Sequence, residues 1–313
     1  MAPWESLIRF KATDKNIYWA QLSLEQTPSA GLTLRGFPTI EALEADEQST
    51  HVTVEEASIS LFSGMMPIVT GPAPRSSSGN WDQYHLRWSQ LPQPRQRGIG
   101  EIKTILFKVP RLISPSYQLA IPQCPPMWYK APPALANPDS DIPFPVQAQN
   151  AFPDFEGELT IVLRNTIKSV PAASSTSHIL GYTIGNDLTA RMFQRACGGQ
   201  YTHAKGYDNF APLGPRLVHP SVFEPSNPAS RITTRVNGRV VQDSPFDFIF
   251  PIDELLAFLS EGTTIPAGTA IMTGTPAGVG WFQDPKRSLA DGDVVGVEVK
   301  PIGVLRNRIV FEK

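Results

Sequence analysis

Apolar and polar residues alternate with period two through much of this chain, and sustained helical periodicity is scarce. Leu7-Ile-Arg-Phe-Lys-Ala and Ile17-Tyr-Trp-Ala-Gln-Leu flank Thr13-Asp-Lys-Asn, which predicts a β-hairpin over 7–25. Thr39-Ile-Glu-Ala-Leu-Glu-Ala predicts a short helix capped by Thr39, and His51-Val-Thr-Val a short strand. Further strands are expected over 158–163, 178–185, 270–274, 294–299 and 303–311. Asn237-Gly238 between alternating runs predicts a type I′ hairpin over 232–242. Asp253-Glu-Leu-Leu-Ala-Phe-Leu-Ser-Glu reads as a helix with Gly262 just past its end. Leu188-Thr-Ala-Arg-Met-Phe-Gln-Arg-Ala reads as a short helix closed by Gly198-Gly199. Many strands with few short helices point to an α+β fold with a largely antiparallel or mixed, curled sheet.

Two stretches break this pattern. Gly71-Pro-Ala-Pro-Arg-Ser-Ser-Ser-Gly-Asn and Leu91-Pro-Gln-Pro-Arg-Gln-Arg-Gly carry turn residues without period, so 61–110 reads as a poorly ordered insert or linker. Its abrupt change of texture is also what a mis-spliced or frameshifted stretch would produce. Residues 111–153 hold Pro122, Pro125, Pro126, Pro132, Pro133, Pro138, Pro143, Pro145 and Pro153. Each proline fixes φ and removes a ladder donor, so an extended segment draped over a core is expected. The chain thus divides into a small β-rich N-terminal domain (1–60), an irregular Pro-rich insert or lid region (61–125) and a regular domain (126–313).

Composition narrows the function classes. The 313 residues carry a net charge of −2 with 18% charged positions, which gives no electrostatic case for nucleic acid or an anionic membrane. No apolar run approaches the ~18–20 residues of a membrane span. Cys124 and Cys197 form no C-x-x-C pair, so a disulfide framework or zinc knuckle is not supported. The first residues lack a basic and apolar secretory leader and are not Arg-rich. A cytoplasmic protein is expected, with mitochondria left open. The 31 prolines are about twice the usual ~5%.

The candidate chemistry starts at Asp154-Phe-Glu-Gly-Glu-Leu. Glu156 and Glu158, two residues apart at the start of an apolar run, point to one face of a strand. Two such carboxylates need a cation between them, and oxygen ligands suit Mg²⁺, Mn²⁺ or Ca²⁺. A solvated strand edge, or pairing with Arg or Lys, is the alternative. Asp187 is a third carboxylate, between a strand and a helix, where it also fits an N-cap. Arg191 and Gln194 follow at +4 and +7 on the same helix face, suited to an anion held near Asp187; a surface Asp–Arg pair is the alternative. Lys205 lies in an irregular segment with Gly206 and Gly214 that would hold a charge in place, unless it is merely solvated. Thr275 stands where a strand opens into Gly-rich backbone, which offers N–H groups to an oxyanion or is a plain tight turn.

Taken together these pieces resemble the fumarylacetoacetate hydrolase family. The matching runs are Asp154-Phe-Glu-Gly-Glu-Leu, Gly181-Tyr-Thr-Ile-Gly-Asn-Asp-Leu-Thr-Ala-Arg-Met-Phe-Gln, Lys205-Gly-Tyr-Asp-Asn-Phe-Ala-Pro-Leu-Gly-Pro, Val236-Asn-Gly and Ile271-Met-Thr-Gly-Thr-Pro-Ala-Gly-Val-Gly. They span about 126–310 in family order, preceded by Trp128-Tyr-Lys-Ala-Pro-Pro-Ala-Leu. The resemblance implies a mixed β-roll, a homodimer, and Mg²⁺ (or Mn²⁺ or Ca²⁺) held by Glu156, Glu158 and Asp187. It implies that Arg191 and Gln194 hold the acid end of a small keto-acid substrate, that Lys205 beside the metal stabilises the enolate, and that Thr275 lies over the substrate carboxylate or enolate. The activities it implies are C–C cleavage of acylpyruvate-type 1,3-diketo acids, or decarboxylation or tautomerisation of oxaloacetate. The family's hydrolases also use a His-Glu pair on a lid helix ahead of this region. Gly98–Tyr117 contains no histidine, and neither His85 nor His203 fits the lid motif. Two classes therefore stay open: an active metal-dependent enzyme, better suited to decarboxylation or tautomerisation than to hydrolysis, and a metal-binding homologue without catalysis.

Overall fold

The computed structural model describes residues 4–57, 68–70, 123–196, 198 and 200–313. Its strands in chain order are β1 (Ser6–Ala12), β2 (Ile17–Leu22), β3 (Thr33–Gly36), β4 (Thr50–Ala57), β5 (Ile68–Thr70), β6 (Met127–Tyr129), β7 (Leu135–Ala136), β8 (Asp141–Phe144) and β9 (Pro153–Asp154). Then follow β10 (Gly157–Leu163), β11 (Ile179–Asn186), β12 (Thr189–Ala190), β13 (Ala211–Val218), β14 (Arg231–Val236), β15 (Arg239–Pro245), β16 (Ala270–Met272), β17 (Val294–Val299) and β18 (Gly303–Phe311). Among the described residues, eleven strands form one mixed sheet in the order β3-β4-β1-β13-β11-β10-β16-β5-β6, with β2 on β1 and β7 on β13. A second sheet runs β15-β14-β17-β18-β8, and β9 pairs with β12. This is the α+β architecture expected from the alternation.

The alternation also explains how the sheets meet. Ile232, Thr234 and Val236 of β14 and Val295, Val297 and Val299 of β17 are buried, while the residues between them are not. Their inward faces share one core with Leu159, Ile161 and Ile184 of the larger sheet. Each such buried aliphatic side chain contributes about 1.5–3 kcal/mol before entropy is counted. β10 is different: all seven residues are buried, because β11 and β16 flank it and both of its faces are covered. That is why Glu158-Leu-Thr-Ile-Val-Leu163 reads as a continuous apolar run. Asn237 and Gly238 take φ of 51° and 80°, as the type I′ turn requires. The helix Ile252–Ser260 buries Leu255, Leu256 and Leu259 and is followed by Gly262 at φ 67°.

Residues 6–57 continue the large sheet, since β1 pairs with β13 (Leu7 opposite Leu217) as well as with β2 and β4. Four local expectations need correction. Ile68–Thr70, inside the supposed linker, is a strand that pairs parallel with β16 and antiparallel with β6; the rest of 61–110 lies outside the described residues. The proline-rich 123–153 supplies β6 and β8 at the ends of their sheets, where a missing donor is tolerated, but also a helix at Val146–Gln149. The helix expected over 188–196 begins only at Arg191, because Thr189 and Ala190 pair with Asp154 and Pro153. Lys205 is not on an irregular loop but ends the short helix Tyr201–Lys205.

Candidate metal centre

Strand register brings the three carboxylates together. Gly157 of β10 faces Asn186 of β11, so the residues just outside the ladder, Glu156 and Asp187, are also opposite each other. The Asp187 N–H donates to the Glu156 carbonyl at 2.9 Å, and the Glu156 N–H donates to the Asn186 side-chain oxygen at 3.0 Å. Glu158, two residues on, projects to the same side. One oxygen from each of Glu156, Glu158 and Asp187 lies within 4.8 Å of the others, and all three residues are buried. Asp187 thus sits just past the end of β11, not at the N-cap of a helix.

Three cations surround this triad. Lys205 Nζ donates to Glu156 Oε2 at 2.8 Å and to Asp187 Oδ2. Lys130 Nζ lies 2.6 Å from Asp187 Oδ1 and donates to the carbonyls of Phe210 and Leu188 at 2.5 and 3.2 Å. Arg191 Nη1 reaches Glu156 Oε1 at 2.7 Å, while its Nε and Nη2 fork onto Asp154 Oδ2 at 3.1 and 2.9 Å. Gln194 Oε1 accepts from Arg191 Nη1 at 3.1 Å, one turn along the helix.

Glu158 is the exception, with no cationic partner among the described residues. Its Oε2 accepts the Gly274 N–H at 2.6 Å, and its Oε1 is buried with no hydrogen-bond partner among the described residues. Burial first, then the charges of Asp187 and Glu156, push its carboxyl well above the ordinary range. Burial acts the same way on Glu156, but Lys205 and Arg191 outweigh it and hold that carboxyl down to about 2. Burial lowers Lys130 to about 8, whereas at Lys205 the two adjacent carboxylates overcome burial and raise it. An all-carboxylate oxygen set in which, among the described residues, Glu158 Oε1 has no partner and Asp187 Oδ1 has only the Lys130 ammonium fits a hard divalent cation. Glu156, Glu158 and Asp187 are the residues that would hold it.

Behind the triad, Asp154 organises the wall. It accepts from Arg191 and from the N–H groups of Gly280 and Trp281 at 2.8 and 3.1 Å. In the Gly-rich loop after β16, the N–H groups of Gly274, Gly280 and Trp281 thus donate to the chain's own carboxylates, Glu158 and Asp154. Thr275 Oγ1 donates to the Gly157 carbonyl at 2.9 Å and accepts from Gln242 Nε2 at 2.8 Å, while Gln242 Oε1 accepts the Gly157 N–H at 3.1 Å. Thr275 and Gln242 thus clamp both sides of the peptide between the two glutamates. A Cβ at Gly157 would meet Thr234 Oγ1 at 2.3 Å and Val297 Cγ1 at 2.9 Å. Gly157→Ala is expected to cost about 1–3 kcal/mol in a denaturation titration and to weaken metal affinity by moving Glu156 against Glu158. An alanine variant matching wild type in both would disprove this tight fit.

The sequence reading brought Glu156, Glu158, Asp187, Arg191, Gln194 and Lys205 to this centre and missed Lys130, Asp154 and Gln242 as participants. A lone lysine between a tryptophan pair partner and Pro132-Pro133 was the only signal for Lys130.

A family model described as fumarylacetoacetate (FAA) hydrolase C-terminal matches residues 106–310. The chain belongs to the fumarylacetoacetate hydrolase family. It is 36% identical over 193 residues to human oxaloacetate tautomerase FAHD2A, mitochondrial, the match covering 61% of this chain and 60% of that protein. It is 38% identical over 191 residues to oxaloacetate tautomerase YisK of Bacillus subtilis, covering 60% and 62%. The chain thus matches less than two thirds of the length of these two relatives. A solved structure titled 5-carboxymethyl-2-hydroxymuconate delta-isomerase, from Mycobacterium smegmatis, superposes with a TM-score of 0.68 at 26% identity over 98% of this chain and 99% of that one. The fold is accordingly that of the fumarylacetoacetate hydrolase family. The stretch that should carry the family's lid pair, 98–117, lies outside the described residues. Among the described residues, no helix is long and apolar enough to cross a membrane.

Proposed function

We propose that this chain is a divalent-metal-dependent enzyme acting on small keto acids, with keto–enol tautomerisation of oxaloacetate as the reaction its site fits best. The observation that carries the reading is the unspent Glu158 oxygen in a buried carboxylate triad ringed by Lys130, Lys205 and Arg191. Four buried carboxylates, counting Asp154, outnumber three cations, so the centre becomes a host for anions only once a divalent cation is added. That ion, when bound, supplies the electrophile that polarises a keto oxygen. The protein's own residues do the rest. Lys205 keeps its ammonium against Glu156 and Asp187, where charge on a developing enolate oxygen is stabilised. Arg191, tied to Asp154, orients Gln194 for the substrate's acid end. Tautomerisation breaks one C–H bond and forms one O–H bond with no water nucleophile. Hydrolysis would add the need for a base that activates water. The printed names of the human and Bacillus relatives support the same choice.

Following enol oxaloacetate by its ultraviolet absorbance should show acceleration by the purified chain with Mg²⁺ or Mn²⁺. EDTA should remove the acceleration and fresh metal restore it, while acetylpyruvate is cleaved slowly or not at all. A chain that binds Mn²⁺ yet accelerates neither reaction would defeat this reading.

A further inference from the structure

All three site cations are already matched to acceptors. Lys130 meets Asp187 and two carbonyls, Lys205 meets Glu156 and Asp187, and Arg191 meets Asp154, Glu156 and Gln194. A different donor beside them has no acceptor. Among the described residues the indole N–H of Trp128 has no hydrogen-bond partner, and it is buried on a residue only 5% exposed. The ring is part of the site: Lys205 Nζ sits over its face, 4.7 Å from the ring centre, and Tyr201 packs against it with centroids 4.9 Å apart. With the ammonium over the face, the N–H lies in the ring plane, alongside Lys205 and not aimed at it. A buried donor left open loses its hydration with nothing in return, so each such group calls for an explanation.

We propose that Trp128 is a substrate-binding residue, whose indole N–H takes a carboxylate or carbonyl oxygen of the keto acid while its ring face positions Lys205. An indole N–H only donates, so it selects an acceptor oxygen and rejects an ammonium at that point. The inference rests on the proposed keto-acid reading for the identity of the ligand, but its contact can be measured without turnover.

The probe is oxalate, titrated calorimetrically into the Mn²⁺-saturated full chain. Trp128→Phe keeps an aromatic face under Lys205 while removing the N–H together with one of the two fused rings. We expect about tenfold weaker oxalate binding with unchanged Mn²⁺ affinity, the size of one hydrogen bond to a charged acceptor. Trp128→Leu, which also removes the ring, should in addition lower kcat for oxaloacetate where Trp128→Phe changes mainly KM. Equal oxalate affinity in wild type and Trp128→Phe overturns the proposal, as does a wild type that does not bind oxalate. If Trp128→Phe loses Mn²⁺ binding through misfolding, the ¹⁵N-indole resonances of the wild type's six tryptophans read the same contact. One should shift on adding oxalate, and none shifting overturns the proposal. Oxalate binding that depends on Trp128 without any keto-acid turnover would sink the functional reading alone.

Discussion

Glu158→Gln is expected to abolish turnover and weaken Mn²⁺ binding by more than about 100-fold, yet leave the metal-free chain more stable than wild type at neutral pH. The first half follows from removing a ligand: losing even an outer-shell partner costs about 10–100-fold in metal affinity. The second half follows from what surrounds Glu158. Lys205 and Arg191 are spent on Glu156, Asp187 and Asp154, and the Glu158 carboxylate has only the Gly274 N–H. Burial and two neighbouring carboxylates raise its carboxyl well above 4.5. A group raised on folding contributes stability below its unfolded value and loses it as pH rises through the folded one. The metal-free wild type should therefore weaken as pH climbs from about 4.5 toward neutrality. The penalty is about 1.4 kcal/mol for each unit by which the carboxyl is raised, and glutamine is free of it. Paired thermal melts of the EDTA-treated proteins between pH 4 and 8, with Mn²⁺ calorimetry, check both halves. Were Glu158 merely part of a structural ion network, the glutamine variant would be the less stable protein at pH 7.

The Glu-x-Glu pair was readable because a period of two is local: spacing alone puts both side chains on one face. The Asn237-Gly238 turn and the Leu255/Leu256/Leu259 helix face were readable for the same reason. What joined Asp187 to the pair was the register of β10 against β11, and no residue near Asp187 encodes which strand it will face. Lys130 and Asp187 are 57 positions apart, and Lys130 reads as an ordinary charge in a proline-rich stretch until it is placed beneath Leu188 and Phe210. The helix start was misplaced because Thr189-Ala190 fits either element locally. Pairing with Pro153-Asp154 decided it, and the Thr189 hydroxyl bonded to the Asp187 carbonyl at 2.9 Å supports the extended form. That the N–H groups of Gly274, Gly280 and Trp281 in the Gly-rich loop meet Glu158 and Asp154 was not legible, because those carboxylates lie more than 110 positions away.

Lys205→Met should behave as the mirror image of Glu158→Gln. The ammonium is fully buried and touches both Glu156 and Asp187, so its loss leaves Glu156 with Arg191 alone and Asp187 with Lys130 alone in low dielectric. Breaking a buried pair by deleting one partner costs about 3–5 kcal/mol, and the metal-free variant should lose that much in a denaturant titration. Glu156 is held down to about 2 mainly by Lys205 and then Arg191, against burial. Its contribution to stability is present above its unfolded value and lost as pH falls through the folded one. In the methionine variant that loss should begin at higher pH. Metal affinity should hold or tighten, because a positive charge beside the ligands is gone. Saturating Mn²⁺ should then restore part of the stability, about 2.7 kcal/mol at a hundredfold excess over Kd. Turnover should nonetheless fall by about 10²–10³, the usual cost of removing a charge that stabilises a transition-state oxyanion. The two variants thus separate holding the ion from using it, since Glu158→Gln loses both while Lys205→Met keeps the first and loses the second. A Lys205→Met protein that binds Mn²⁺ and turns over oxaloacetate at the wild-type rate would reduce Lys205 to a counter-ion. One that loses Mn²⁺ affinity together with turnover would show that the lysine shapes the ligand cage itself.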